Sequence, residues 1–455
     1  MRALMLVSLA LLLSGCARYR AAPDLDWLYA AAREVDNRPP LILMHGQLGS
    51  RLVDQSTGKE RWPGSLYRML FSRYPDLAMT IDPETLTPEA DGLVPSALFD
   101  ASLLGDYYGR IRAILEGPGG YLPGQPGKAP GKGEAQYYVL VYDWRQDAVK
   151  TAQQLSHLVE QIKRDYHDPT LKVDIIAHSM GGLVARYYAR YGTVDLLDDN
   201  DFPVSMSGAD NIRRMILLGT PNLGSVGGIM AMVEGNNPAI RRVHPEMLMT
   251  MPSVYQLFPH ALNDWLITAD GRPLVRDQFD ALIWRRFEIG PWDPALKQRL
   301  LKKYDSIDEA QAYHALLQRY FTHQLERGRR FTWALTVPTP EHDMAIILLG
   351  GDCEPTPARM LVEEIEGQSH LRLWPKEIQQ PLKQINYRRI MLEPGDGTVT
   401  KASLLGRTTM NPAAPRHRYI NFPEHTAFFL CERHDLLSSN ITFQNNLLNA
   451  LLQVD

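Results

Sequence analysis

The hydrophobic pattern of this chain changes character about halfway along. In the first half, short apolar runs are separated by stretches with helical spacing. Leu41–Met44 is wholly apolar and ends at His45-Gly46, which reads as a buried strand feeding a tight loop. Residues 137–142, 172–177 and 215–218 read as three further strands. Between the second and third, Ala148, Ala152, Leu155, Val159, Ile162 and Tyr166 recur at three- and four-residue intervals and predict one apolar helix face. Another helix is predicted from 180 to about 191. Strands alternating with helices predict an α/β architecture, a mostly parallel central sheet with helices on both faces.

From about residue 226 to 344 this alternation stops. Ser306-Ile307-Asp308-Glu309 is a capping-box sequence ahead of a helix through Leu316, Tyr320 and Leu325. The segment also carries Trp284, Trp292, Arg285, Arg286, Lys302 and Lys303, and reads as a helical cap inserted into the core. Strand character returns at 345–349, and the chain closes with a strand near 419–422 and a helix over 439–452. The Gly/Pro-rich stretch 117–133 reads as a loop. The expected division is a core of residues 39–225 and 345–455, interrupted by the 226–344 cap.

The first residues bear on compartment. Arg2 precedes an apolar run over 3–13, too short to span a bilayer, followed by Leu13-Ser14-Gly15-Cys16. This pattern predicts a lipoprotein signal over 1–15, lipid attachment at Cys16 and a tether over 16–38. The alternative is an ordinary signal peptide in which Cys16 plays no part. With Ala17 after Cys16, the expected location is the bacterial cell envelope, lipid-anchored at the outer membrane. A net charge of −4 gives no electrostatic footprint for nucleic acid. The three cysteines leave Cys353 and Cys431 beside Cys16. An oxidising compartment permits a disulfide between them, with two free buried thiols as the alternative. No zinc spacing or metal motif is present, and no cofactor is implied.

The chemistry centres on Ala177-His178-Ser179-Met180-Gly181, between a predicted strand and a predicted helix. This is the context of a nucleophile elbow, in which a sharp strand-to-helix turn lifts a serine hydroxyl above the sheet. Small neighbours are needed there, and Ala177 stands where the motif has its first glycine. A serine nucleophile needs a base and a carboxylate to orient it, following in the chain order Ser, Asp or Glu, His. Asp396, in Gly395-Asp396-Gly397, fits the acid. Two histidines, His425 and His434, compete for the base, and His434, close to the final helix, is preferred. The oxyanion donors expected are the backbone N–H groups of Met180 and Gln47. His45 precedes that loop and reads as structural.

Together these segments resemble the lecithin:cholesterol acyltransferase-like family of lipases and acyltransferases. The resemblance rests on His45-Gly46-Gln47-Leu48-Gly49-Ser50, Tyr142-Asp143-Trp144-Arg145, His178-Ser179-Met180-Gly181-Gly182 and Leu218-Gly219-Thr220-Pro221-Asn222-Leu223-Gly224-Ser225. Met251-Pro252-Ser253-Val254-Tyr255-Gln256-Leu257 and Gly395-Asp396-Gly397-Thr398-Val399 extend it. His434-Asp435-Leu436-Leu437 resembles the family's histidine segment, which favours His434 over His425. The chain departs from the family at His45-Gly46, where members often have Pro-Gly, and little resembles it over 261–343.

The resemblance implies an α/β-hydrolase fold and ester chemistry on lipids. An acyl group would move from a glycerolipid to Ser179, then to water or to an alcohol. Residues 142–145 would orient the loops around the site. The leading expectation is a carboxylic ester hydrolase; an acyltransferase and a depolymerase of polyesters or small esters are the near alternatives. A non-catalytic lipid-binding lipoprotein is a reading of a different class.

Overall fold

The computed structural model of the chain describes residues 22–35, 37–100, 106–236, 243–411, 413, 422 and 426–453. Seven strands form one sheet: β1 (Leu41–Met44), β2 (Leu122–Pro123), β3 (Gln136–Leu140), β4 (Val173–His178), β5 (Ile212–Leu218), β6 (Ala345–Gly351) and β7 (Thr426–Leu430). Their spatial order is β7-β6-β5-β4-β1-β3-β2, and every pairing is parallel. Six of the helices matter most here: α1 (Tyr108–Glu116), α2 (Ala148–Asp165), α3 (Met180–Tyr191), α4 (Val226–Glu234), α5 (Ile307–Ala334) and α6 (Ile441–Leu452).

Side chains alternate across a strand, and both faces of this sheet are covered, so each central strand is apolar throughout. Ile42, Met44, Ile175, Ala177, Met215 and Leu217 face a core shared with α2, α3 and the cap. Leu41, Leu43, Ile176, Ile216, Leu218 and Leu349 face the other core, closed by α1 and α6. α2 begins where Asp147 caps the Val149 N–H, and Lys163 and Arg164 occupy its last turn, where the helix dipole favours cations. The last sheet strand is β7, a few residues beyond the 419–422 stretch expected from its aromatic residues. Residues 419–421, His425, Cys16 and the signal and early tether residues lie outside the described residues.

Two features had no counterpart in the sequence pattern. Ser50–Asp54, Glu60–Trp62 and Leu93–Leu98 make a small antiparallel sheet. Leu266–Thr268, within 226–344, pairs with Met360–Ile365, which in turn pairs with Gln368–Arg372. The segment after β6 therefore contributes to the same layer as the insertion. α5 is the long element of that layer, begun by Ser306 accepting the Glu309 N–H. Charge fastens it to the core: Arg327 Nε meets Asp147 Oδ2 at 2.6 Å, at the N-cap of α2, and another of its nitrogens meets Asp195.

The Tyr142-Asp143-Trp144-Arg145 segment is wholly internal. Arg145 is fully buried and ion-paired with Asp91 at 2.6 Å and Asp143 at 2.8 Å. Burial works against its charge, and the two carboxylates hold it protonated. Removing either carboxylate leaves the buried guanidinium only half compensated, at a cost of up to about 3–5 kcal/mol, the range for breaking a buried ion pair. The Trp144 indole donates to Ser50 O, and the Ser50 hydroxyl donates to Tyr142 O, so this segment carries the loop that follows β1.

Cys353 and Cys431 form a disulfide with Cα atoms 4.9 Å apart. It joins the exits of β6 and β7, reinforced by the Asp352 N–H donating to Leu430 O. The protein without Cys16 should therefore show no reactive thiol under denaturing, non-reducing conditions, by titration with a chromogenic thiol reagent. Replacing both cysteines with serine should lower stability by roughly 4 kcal/mol, since the cross-link closes a loop of 78 residues. Two titratable thiols in the unmodified protein would contradict the bond.

Candidate active site

Ser179 sits between β4 and α3 with φ 53° and ψ −123°. A residue with a side chain adopts that conformation at a cost of about 1–3 kcal/mol, and only where its surroundings over-determine it. Here they do. The Ser179 N–H donates to Leu218 O at the end of β5, and the Gly182 N–H returns to Ser179 O. A Cβ on Gly46 would stand 2.7 Å from that of Ser179. One on Gly181 would strike the His45 carbonyl, and one on Gly182 the Thr220 hydroxyl. The glycines of the two motifs are thus the places where the β1 loop, the elbow and the β5 exit touch.

Asp396 follows a two-stranded antiparallel ladder, Glu354–Pro357 with Leu392–Gly395. Its Oδ1 accepts the Thr398 and Val399 N–H groups, at 3.0 and 2.7 Å. Oδ2 is left for His434 Nδ1, at 2.7 Å. Gly397, at φ 91°, turns the chain between them and donates its N–H to Thr356 Oγ1. The His434 N–H donates to Asp396 O, so acid and histidine are fixed by backbone as well as by side chain. Burial disfavours protonation of His434. The Asp396 charge and hydrogen bond outweigh it, with help from Asp435, and hold the imidazole above its ordinary pKa.

The structure brings Ser179, Asp396 and His434 to one place. Leu218 accepts the Ser179 N–H, and a Cβ on the next residue, Gly219, would lie 2.9 Å from His434 Nδ1 and 3.2 Å from Asp396 Oδ2. The Asp396–His434 contact is closed, whereas among the described residues no hydrogen bond joins His434 to Ser179 Oγ. Such bonds commonly tighten only once substrate is present. The Met180 N–H is in the first turn of α3 and has no acceptor within the helix. Gln47 lines the same cleft as Ser179.

The cleft encloses about 330 Å³. Pro221, Met230, Leu248, Val254, Leu257 and Val399 give it apolar walls, and Gly227, Gly228 and Ala231 of α4 form one side. Among the described residues, no group of three or more His, Cys, Asp or Glu side chains is placed to hold a metal ion.

Sequence reasoning missed Tyr107 and Tyr108. The buried Tyr108 hydroxyl accepts the Gly46 N–H at 2.7 Å and bonds His178 Nδ1 at 2.8 Å. Tyr107 stacks on His178, whose ring lies 4.8 Å from that of His434. Nothing in the spacing of Tyr107-Tyr108 signals this, because the contact depends on how α1 docks. His45 is built into its loop: Nε2 accepts the Tyr142 N–H, Nδ1 faces the Gly46 carbonyl, and the ring stacks on Tyr142. Burial lowers its pKa to about 4.

Comparison with known proteins agrees with this architecture. The model of the family described as Lecithin:cholesterol acyltransferase matches residues 134–326, and the chain is similar to that family over this span. Among solved structures, the Tle4-Tli4 complex contains a chain that superposes with a TM-score of 0.55 at 13% identity, over 92% of this chain and 98% of that one. EstA from Clostridium botulinum gives a TM-score of 0.36 at 11% identity, over 91% and 87% of the two chains. The lipase BlEst2 from Bacillus licheniformis gives 0.33 at 12%, over 92% and 95%. No curated protein matches the chain. The fold is that of the α/β-hydrolases.

The electrostatics of His434 can be read directly. Its imidazole should titrate above its usual value near 6.5 in NMR spectra recorded against pH. In Asp396→Asn the burial remains and the opposing charge is gone, so the pKa should fall below that value. An unchanged titration would show that Asp396 does not govern His434.

Proposed function

We propose, taking the similarity to the lecithin:cholesterol acyltransferase family as premise, that this chain is an enzyme acting on lipid esters through a Ser179–His434–Asp396 triad. Hydrolysis is the leading reading. The observation that carries it is the 2.7 Å contact of His434 Nδ1 with an Asp396 whose other oxygen is held by two backbone N–H groups. That arrangement leaves Nε2 of His434 as the nitrogen able to accept a proton.

Ser179 Oγ attacks the ester carbonyl carbon while Nε2 of His434 takes the hydroxyl proton. Negative charge develops on the carbonyl oxygen, which the N–H groups of Met180 and Gln47 receive. Removing one donor of this type commonly costs about 2.7–4 kcal/mol of transition-state stabilisation. Asp396 stabilises the imidazolium and keeps its ring oriented. When the intermediate collapses, the carbon–oxygen bond to the alcohol breaks, and His434 returns its proton to the leaving oxygen. The acyl group, now on Ser179, is released by water that His434 deprotonates in turn. An alcohol entering in place of water would give acyl transfer by the same steps, and the name of the matched family keeps that second reading open. The apolar walls of the cleft suit the hydrocarbon of the acyl group.

We further infer attachment to a membrane through lipidated Cys16, on the strength of Leu13-Ser14-Gly15-Cys16 after an apolar run. The full chain, expressed in a bacterial host given labelled palmitate, should incorporate label that Cys16→Ala loses. Equal labelling of the two would dismiss the anchor.

Purified protein should hydrolyse para-nitrophenyl esters, and Ser179→Ala should reduce kcat on the order of 10⁴-fold or more while leaving the thermal melt in place. His434 must be neutral to act as base, and Asp396 raises its pKa. The rate should therefore climb with pH through a single ionisation above 6.5 and fall away below it. Retained turnover in Ser179→Ala would reject this nucleophile. A rate independent of pH through that range would argue against His434 as base.

A further inference from the structure

The Ser179 cleft has two chemically different ends. Near the N-terminus of α4 the Ser225 hydroxyl donates to the Thr398 carbonyl at 2.8 Å, two residues from Asp396, so this end adjoins the reacting groups. Glu234 closes the same helix nine residues on, about 13 Å further at 1.5 Å per residue. Between them Met230, Val254 and Leu257 make an apolar wall. At the far end the Trp374 indole N–H donates to Glu234 Oε1 at 3.3 Å, and both side chains line the cleft.

The enclosed space, about 330 Å³, lies near the bottom of the range for small-ligand pockets, roughly 300–1,000 Å³. The cleft is open on one side, and its apolar wall has room for one hydrocarbon chain. Each methylene group that moves from water onto an apolar wall favours binding on the order of fourfold. A chain long enough to reach Glu234 meets the reverse, because its terminal methyl would press an apolar group against a charged carboxylate whose polar contacts it cannot replace.

We propose that the Glu234–Trp374 pair is the length stop of the acyl cleft and makes the enzyme selective for medium-length acyl groups. The proposal depends on Ser179 being the acyl acceptor. Neither residue is among the groups that carry out the reaction. Their role is to set specificity, expressed in the chain-length profile of kcat/KM and not in the rate on the shortest ester.

The test is a series of para-nitrophenyl esters from acetyl through octanoyl to palmitoyl, assayed with the native protein, Glu234→Gln, Glu234→Leu and Trp374→Ala. The native enzyme should peak at an intermediate length. Glu234→Leu and Trp374→Ala should raise the palmitoyl-to-acetyl ratio of kcat/KM by about tenfold or more, with the acetyl rate within about twofold of native. Each methylene newly accommodated should add on the order of fourfold. Glu234→Gln keeps the shape and removes the charge, so it should shift the ratio in the same direction by less. Native-like ratios in Glu234→Leu and Trp374→Ala, with the acetyl rate intact, would overturn the length stop while leaving the triad untouched. If Glu234→Leu or Trp374→Ala loses the acetyl rate, the Glu234→Gln profile decides: a shift supports the stop, and no shift overturns it. Failure of the underlying reading looks different, as absence of Ser179-dependent hydrolysis at every length in the native protein.

Discussion

Everything around the site is arranged to hold one residue in a conformation it would not choose. Ser179 has a positive φ although it carries a side chain. The strain persists because β4 is pinned between β1 and β5, with every central side chain packed, while α3 starts at once on the far side of the turn. The elbow is then so crowded that Gly46, Gly181 and Gly182 have no room for a Cβ. Those contacts bring the β1 loop over the N-terminus of α3, which is where unpaired N–H groups must lie if an oxyanion is to be received.

The acid and the histidine reach the same place from the other edge of the sheet, and the fastenings are correspondingly different. β6 and β7 are parallel neighbours, so their C-terminal ends emerge side by side. The Cys353–Cys431 disulfide ties those exits together, and the antiparallel pairing of Glu354–Pro357 with Leu392–Gly395 hangs Asp396 from one of them. No strained backbone is needed at Asp396 itself, because neighbouring N–H groups from a glycine-bearing turn orient its carboxylate. The 226–344 segment is joined to the rest of the chain through charge and backbone polar groups as well as apolar contact. Arg327 reaches the N-cap of α2, and the absence of a side chain at Gly328 lets α5 pack close against the Tyr255 carbonyl of the short helix Pro252–Tyr255.

The sequence is most legible where local chemistry and global position agree. Strands β1, β4 and β5 and helix α2 are visible because an element buried on both faces, or amphipathic over five turns, leaves a strong pattern. Ser179 and Asp396 are visible because a tight turn at a strand end restricts which residues can flank it. Legibility fails where position depends on how elements dock. The sheet of Ser50–Asp54, Glu60–Trp62 and Leu93–Leu98 is short, half-polar and interrupted by Pro95, so no period survives. β7 begins at Thr426, beyond the aromatic stretch that suggested a strand, since pairing with β6 fixes it and propensity does not. Trp374 lines a cleft beside α4, over a hundred residues earlier in the chain, and Tyr108 in α1 bonds through its hydroxyl to a histidine at the end of β4; neither contact can be read from spacing.

The imidazoles at the centre are treated unequally, which suits the proposed role of His434 as base. The His178 ring lies 4.8 Å from that of His434 and within electrostatic reach of His45, and a positive charge on it would oppose an imidazolium at His434 in the proposed reaction. The protein prevents this by unequal solvation and unequal partners. His45 and His178 are buried without a carboxylate, so desolvation drives both well below the usual histidine range, and His434 pushes His178 further in the same direction. Since the Tyr108 hydroxyl accepts the Gly46 N–H, its own proton is available to His178 Nδ1, which suits the neutral ring. Of the three, His434 is the one given a carboxylate, and it alone is shifted upward. Charge can therefore appear on one ring and be stabilised there, while the neutral His178 ring beside it fills space and leaves the Asp396 field undiluted.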